Sequence, residues 1–168
     1  FGSAVALRGN IAVVAGGRAT SSGRRVAFVF RFDGSAWVEE EAILRPTSLI
    51  GNGGDMSVAV GEVHQYPLVL VGMPNSRPRD IWSAGAGAVQ ILAFNWQRWG
   101  VVDVLGPPLI DFPNEVDEHF GRAVAAFGDT LLVGAPADGP TNLGPGAAYI
   151  VGPVSETDEW DTYQELLA

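Results

Sequence analysis

Side chains able to do acid–base chemistry are thinly spread along this sequence. Its two histidines, His64 and His119, stand far apart and in different local contexts. A hydrolytic triad needs a nucleophile, a histidine and a carboxylate able to converge. Neither histidine has a serine or a carboxylate pair at a spacing that suggests one. With no cysteine anywhere, thiol catalysis, thiolate metal sites and disulfides drop out together. The densest run of oxygen ligands is Asp111, Asn114, Glu115, Asp117 and Glu118. Calcium asks for roughly six to eight oxygens in a tight loop, and the spacing here follows no such loop, so the run reads as a solvated acidic connector. No nucleophile elbow, phosphate loop, dinucleotide fingerprint or zinc-protease motif is present. The expectation is a chain without catalytic, metal or cofactor residues.

Recognition is better supported than catalysis. Asn75-Ser-Arg-Pro-Arg-Asp-Ile-Trp82 places Arg77, Arg79 and Trp82 close together, with Asp80 as a charge partner. Arg and Trp are the usual anchors of interfaces. These four residues are the candidate contacts for a protein or glycan ligand. The competing reading is a solvated loop with Trp82 folded onto its own sheet. Trp96 is a second aromatic on which a sugar would stack.

Composition narrows the partners. Net charge is −9, and all ten basic residues are arginine. Nucleic-acid binding needs a positive surface to displace counterions, so nucleic acid is not an expected partner. The only local basic clusters are Arg24-Arg25 and Arg77/Arg79, and the absence of lysine reads most simply as codon bias. Apolar residues make up 47% of the chain but fall in short β-branched and aromatic runs, none long enough to span a bilayer. Twenty-two glycines and eleven prolines with only 17% charged residues describe many short strands joined by tight turns. No Asn-x-Ser/Thr sequon occurs. The first residue is Phe1, so the sequence reads as a mature or excised piece of something longer.

The elements that hold these loops come in three copies. Phe1-Gly-Ser-Ala-Val-Ala6 lies over Phe120-Gly-Arg-Ala-Val-Ala125 without a gap, and Met56-Ser-Val-Ala-Val60 supplies a middle copy. The end of the second strand recurs as Val14-Ala-Gly-Gly17, Val71-Gly-Met-Pro74 and Val133-Gly-Ala-Pro136. A third strand follows at Val26–Phe30, Ala88–Leu92 and Ala147–Val151. One tryptophan then falls in each copy (Trp37, Trp99, Trp160), and a leucine closes it (Leu44, Leu105, Leu166 or Leu167). Repeats of this length signal a stacked or radial architecture. The copies span about 1–45, 55–106 and 119–168 within one segment, 1–168.

Each copy predicts four antiparallel strands, in copy three at about 121–127, 130–135, 146–152 and 159–167. Gly9-Asn10 and Gly128-Asp129 predict tight first hairpins with positive φ, and Asp33-Gly34 does so between strands three and four. In copy two the first hairpin is lengthened by residues 61–67. The inner strands Ile11–Val14 and Leu68–Val71 are apolar on both faces, as sheets covered on both sides require. The fourth strand alternates, with Trp37, Glu39, Glu41 and Ile43 on one parity, and reads as a charged outer edge. This is the arithmetic of β-propeller blades. The fold class is all-β, and the repeated tryptophan is an inter-blade packing residue.

Phe120-Gly-Arg-Ala-Val-Ala125, Gly128-Asp129, Val133-Gly-Ala-Pro136 and Gly146-Ala-Ala-Tyr149 together resemble the FG-GAP repeat. That repeat builds the propeller headpiece of integrin α-subunits and many bacterial surface proteins. In copy one Gly-Ala-Pro has become Ala15-Gly16-Gly17, and in copy two Gly54-Asp55 replace Phe-Gly. The resemblance implies an extracellular or cell-surface propeller, commonly of about seven blades, used for protein interaction and adhesion. Alternatives are a lectin-like propeller, or non-catalytic blades of a larger exported enzyme. Integrin-like copies carry an Asp-rich calcium loop in the first hairpin. Leu7–Ile11, Gly61–Pro67 and Phe127–Thr130 cannot furnish those oxygens, so the calcium function is not expected to carry over. Three blades cannot close a ring, so further blades, of the same polypeptide or of a neighbouring chain, are the expected partners.

Overall fold

The computed structural model describes residues 1–16, 26–44, 49–51, 55–63, 66–78, 85–95, 97–107, 119–136, 146–153 and 160–167. Among them there is no helix. Copy one forms strands β1 (Ala4–Arg8), β2 (Ile11–Gly16), β3 (Val26–Phe32) and β4 (Trp37–Leu44), and a three-residue strand β5 (Leu49–Gly51) follows. Copy two contributes β6 (Ser57–Val63), β7 (Tyr66–Gly72), the short β8 (Ser76–Pro78), β9 (Val89–Phe94) and β10 (Trp99–Leu105). Copy three contributes β11 (Ala123–Phe127), β12 (Thr130–Ala135), β13 (Ala147–Pro153) and β14 (Trp160–Leu167). Each copy is one four-stranded antiparallel sheet in simple sequential order, with β5 and β8 pairing as a separate ribbon. The sheets stand side by side, and β6 of the middle copy touches β1 on one side and β11 on the other. Three up-and-down sheets packed face to face, first strands adjacent, make propeller blades. The described residues make no closed ring.

Registers map the copies onto one another. Val5 faces Val14, Val58 faces Val71 and Val124 faces Val133. On that alignment the buried parity of the second strand differs between the outer copies. Copy one buries Ile11, Val13 and Ala15, which face copy two, whereas copy three buries Leu131, Val133 and Ala135, the counterparts of Ala12, Val14 and Gly16. Copy two buries both sets, with Val69 and Val71 against copy one and Leu68 and Leu70 against copy three. A strand's side chains alternate between faces, so each copy carries one face for its predecessor and one for its successor. This is why the inner strands are apolar throughout.

Details depart from expectation in four places. Positive φ in the first hairpins belongs to the glycines alone (Gly9 at 56°, Gly128 at 55°), not to Asn10 or Asp129. In copy two the extra hairpin residues are mostly strand, the ladder running to Val63 opposite Tyr66. The β5–β8 ribbon was not anticipated. And β4 does not keep one parity, because a β-bulge leaves Glu40 unpaired between Glu39 and Glu41. The bulge recurs three residues after the tryptophan in every blade, leaving Val102 and Tyr163 unpaired in β10 and β14. An extra residue kinks an outer strand and re-aims what it carries.

Candidate functional site

Antiparallel order places the connections from second to third strand, and those from blade to blade, on one face of the assembly. Two observations tie them together. Strand β8, within the connection from β7 to β9, pairs with β5 of the link from blade one to blade two, so that Arg77 lies opposite Ile50. On the other side of the same connection, the His119 amide donates to the Gly85 carbonyl (2.9 Å) and the Phe120 amide to that of Ala86 (3.0 Å). Gly87 and Phe120 complete a parallel bridge. The connection that bears the candidate contacts is thus held at both edges by blade linkers. Of those contacts, Arg77 is placed on β8, half-buried. Arg79, Asp80 and Trp82 lie outside the described residues, as do His64, Trp96 and the Asp111–Glu118 run. The structure therefore does not bring the four together or separate them. His119 sits in the linker before blade three, at a φ of 55°.

The most developed polar geometry lies between blades. At the first joint, Glu40 on its bulge accepts from Arg31 Nε at 2.5 Å and from the Trp99 indole N–H of blade two at 2.9 Å. Arg31 in turn lies over the Phe94 ring, 4.7 Å from its centroid, and Phe94 packs on Trp99 at 5.5 Å. The cycle Arg31–Glu40–Trp99–Phe94 closes on itself across two blades. Trp99 is 5% exposed. At the second joint the bulged residue is Val102, whose side chain has no hydrogen-bond acceptor. Its neighbour Asp103 takes the Trp160 backbone N–H at 3.3 Å. Trp160 is likewise buried, whereas Trp37 is 45% exposed. The inter-blade role read for the repeated tryptophan holds at both joints. Two exposed ion pairs, Arg8–Glu62 and Arg122–Asp55, also cross the joints, and pairs of this kind contribute little. The chemistry of the polar cycle is fastening: its carboxylate is spent on an arginine and an indole.

Burial pushes the Glu40 carboxyl up, but the hydrogen bonds from Arg31 and Trp99 and the Arg31 charge outweigh it and hold its pKa below the ordinary 4.5. Asp33 is also held low, by amide hydrogen bonds from Ala36 and Ser35 and by the Ser35 hydroxyl. A carboxyl whose pKa is depressed on folding contributes stability above its unfolded pKa and loses it as pH falls through the folded one. Glu40→Gln is therefore expected to cost about 1–2 kcal/mol at pH 7, and the difference from the parent should shrink as pH falls through the lowered folded-state pKa of Glu40. Urea midpoints followed from pH 7 into the acid range measure it; a constant difference would show that the charge is irrelevant. Such polar fastenings were legible only in part. The Trp was evident, but its acceptor depends on a bulge that an alternating pattern does not announce.

The joint between blades two and three also explains the Phe-Gly pair. Phe120 is 1% exposed and packs on Tyr149 at 5.5 Å. Gly121, at φ 85°, comes so close to Gly72 that a Cβ on Gly72 would meet the Gly121 carbonyl at 2.1 Å. The Ser57 hydroxyl donates to that carbonyl at 2.8 Å. In copy one Phe1 packs on Phe28, the counterpart of Tyr149, at 5.3 Å. Copy two, which lacks the phenylalanine, has Gln90 at that position. The aromatic pair is present or absent as a unit.

Stacked four-stranded blades with their first strands adjacent define a β-propeller-type repeat protein. Residues 114–151, which span most of the first three strands of copy three, match the family model of the FG-GAP repeat. No curated protein matches the chain. No helix among the described residues is long and apolar enough to cross a membrane.

Proposed function

We propose that the chain is a non-catalytic interaction module of an extracellular or cell-surface protein, binding a protein or glycan ligand through the face that carries the β7–β9 connection. The observation that supports this most is the clamping of that connection, by β5 on one edge and by residues 119–120 on the other. Recognition residues are effective when a rigid scaffold holds the loop that bears them. The FG-GAP repeat at 114–151 supports an extracellular setting, since that repeat is characteristic of surface proteins. Arg77, Arg79 and Trp82 are the anchors and Asp80 their charge partner.

The test immobilises the chain and measures binding to a glycan array and to a panel of extracellular-matrix proteins. The triple variant Arg77→Ala, Arg79→Ala, Trp82→Ala is expected to weaken saturable binding at least tenfold, about 1.4 kcal/mol, with its melting temperature unchanged. Binding indifferent to the triple variant would remove this loop from the reading. Turnover of any glycan on the array would overturn the non-catalytic assignment.

A further inference from the structure

Blade one brings to the connection-bearing face a set of cations that the other blades lack. Its sheet ends there in a row of three paired residues, Gly16 opposite Val26 and Val26 opposite Leu44. The sequence leaves that row as Gly17-Arg18 after β2, returns to it as Arg24-Arg25 before β3 and leaves again as Arg45 after β4. The four arginines themselves lie outside the described residues, but the row limits their reach. Consecutive α-carbons are about 3.8 Å apart and neighbouring strands about 4.8 Å. Arg25 and Arg45 stand one residue from the row and Arg18 and Arg24 two, so the four α-carbons fall within about 20 Å of one another.

The fold does not call for these charges. Registers give the matching rows as Met73–Ala88 in blade two and Ala135–Ala147–Leu167 in blade three. Arg25 then corresponds to Gly87 and Gly146, Arg24 to Ala86 and Pro145, Arg18 to Asn75 and Ala137, and Arg45 to Pro107 and Ala168. None of these counterparts is charged. Nor does either stretch, 17–25 or 45–54, contain a carboxylate. Along the strands the nearest is Glu41, three residues before Leu44, and Asp55, which opens blade two, is paired with Arg122 at 3.4 Å. In a chain of net charge −9, four arginines gathered at one row with no acid among them set up a local positive field.

We propose that this rim of blade one binds an anionic polysaccharide, one whose sulfate or carboxylate groups recur along an extended chain. A planar guanidinium presents two parallel N–H donors to the paired oxygens of such a group. Among the arginines the same stretches hold Thr20, Ser21, Ser22, Thr47 and Ser48, hydroxyls suited to a sugar, and no aromatic or large aliphatic residue precedes Leu49 in them. The centre of a protein interface is by contrast apolar, aromatic and poor in charge. Nucleic acid is disfavoured by the rest of the chain, where six arginines stand against nineteen carboxylates. The choice of a glycan rests on the extracellular setting proposed above, but the rim shares no residue with the anchors of the β7–β9 connection.

Immobilised heparin is the sulfated probe. The chain is expected to bind it saturably, and the affinity to fall roughly 10–100-fold between about 50 and 200 mM salt as counterions are released. Arg24→Ser with Arg25→Ser should weaken binding about tenfold, and adding Arg18→Ser and Arg45→Ser should abolish it. Both variants should keep the parent's melting temperature, because the other blades carry uncharged residues at these positions; the double variant decides the matter should the fourfold one fail to fold. Arg77→Ala with Arg79→Ala should leave heparin binding unchanged. If that pair abolishes it and the rim variants do not, this inference falls and the β7–β9 reading stands. If the rim variants abolish it while the β7–β9 variant alters no binding to glycans or proteins, the reverse holds. A chain that ignores heparin at low salt overturns the proposal. So does duplex DNA or polyglutamate that competes more strongly than heparin at equal charge, which would make the rim a nucleic-acid or acidic-protein site.

Discussion

Gly87→Ala is expected to unfasten blade three from blade two, at a cost of about 3 kcal/mol or more. Two effects add. Gly87 sits at φ 87°, a conformation that an L side chain adopts only under strain. And a Cβ there would lie 2.1 Å from the Phe120 carbonyl oxygen and 2.4 Å from its amide nitrogen. Both are backbone atoms of a bridged segment, so no rotamer change relieves the clash; the bridge must part. For a chain of this length a loss of that size lowers the melting temperature by roughly 6–12 °C. Gly100→Ala is the control, with negative φ and nothing within 4 Å of the new methyl; it should stay within about 0.5 kcal/mol of the parent. If the two variants melt together, the Gly87–Phe120 bridge is not what couples these blades.

Trp99→Ala should be comparably severe, about 3–5 kcal/mol, because it empties the largest side-chain site between blades one and two and leaves Glu40 without its indole donor. Trp99→Phe separates the two losses. It keeps an aromatic ring against Phe94 and gives up only the N–H, for about 1–2 kcal/mol. Chemical denaturation of the three proteins reads the difference directly. Trp37→Ala provides the counterpoint. That ring occupies the same position in its blade but is 45% exposed, so its removal should cost under about 1 kcal/mol. A Trp37 cost equal to that of Trp99 would mean that blade one is covered in solution. Equal and small costs would mean that the repeated tryptophan is not a packing residue at all.

The architecture was largely legible because the signals that carry it are local and repeated. Four strands per copy, the Trp at the start of each fourth strand and a closing Leu at each end all follow from side-chain periodicity and turn residues. In copy three the strand limits differ from the reading by no more than two residues. The fastening of one blade to the next was less legible, because it depends on events that periodicity does not encode. A bulge inserts one residue and turns Glu40 toward Trp99, and the alternating pattern of β4 conceals it. Ribbon β5–β8 joins two three-residue strands separated by a whole hairpin, too short for any pattern. The pairing of Phe1 with Phe28 and of Phe120 with Tyr149, and its replacement by Gln90 in copy two, becomes visible once registers align the copies. The candidate contacts were chosen by residue type, a criterion silent on position, and of the four only Arg77 falls among the described residues.

The two-sided parity of the inner strands has a consequence for how such a protein can change in length. Each blade addresses its predecessor with one set of alternate residues and its successor with the other. A stretch of gene that encodes one four-stranded blade therefore carries one face for a predecessor and one for a successor. Inserted between two blades, it interrupts one contact and supplies two. Blade number is thus a property of how many units are joined, not of any residue within a unit, and duplication in frame changes it without a new interface having to be devised.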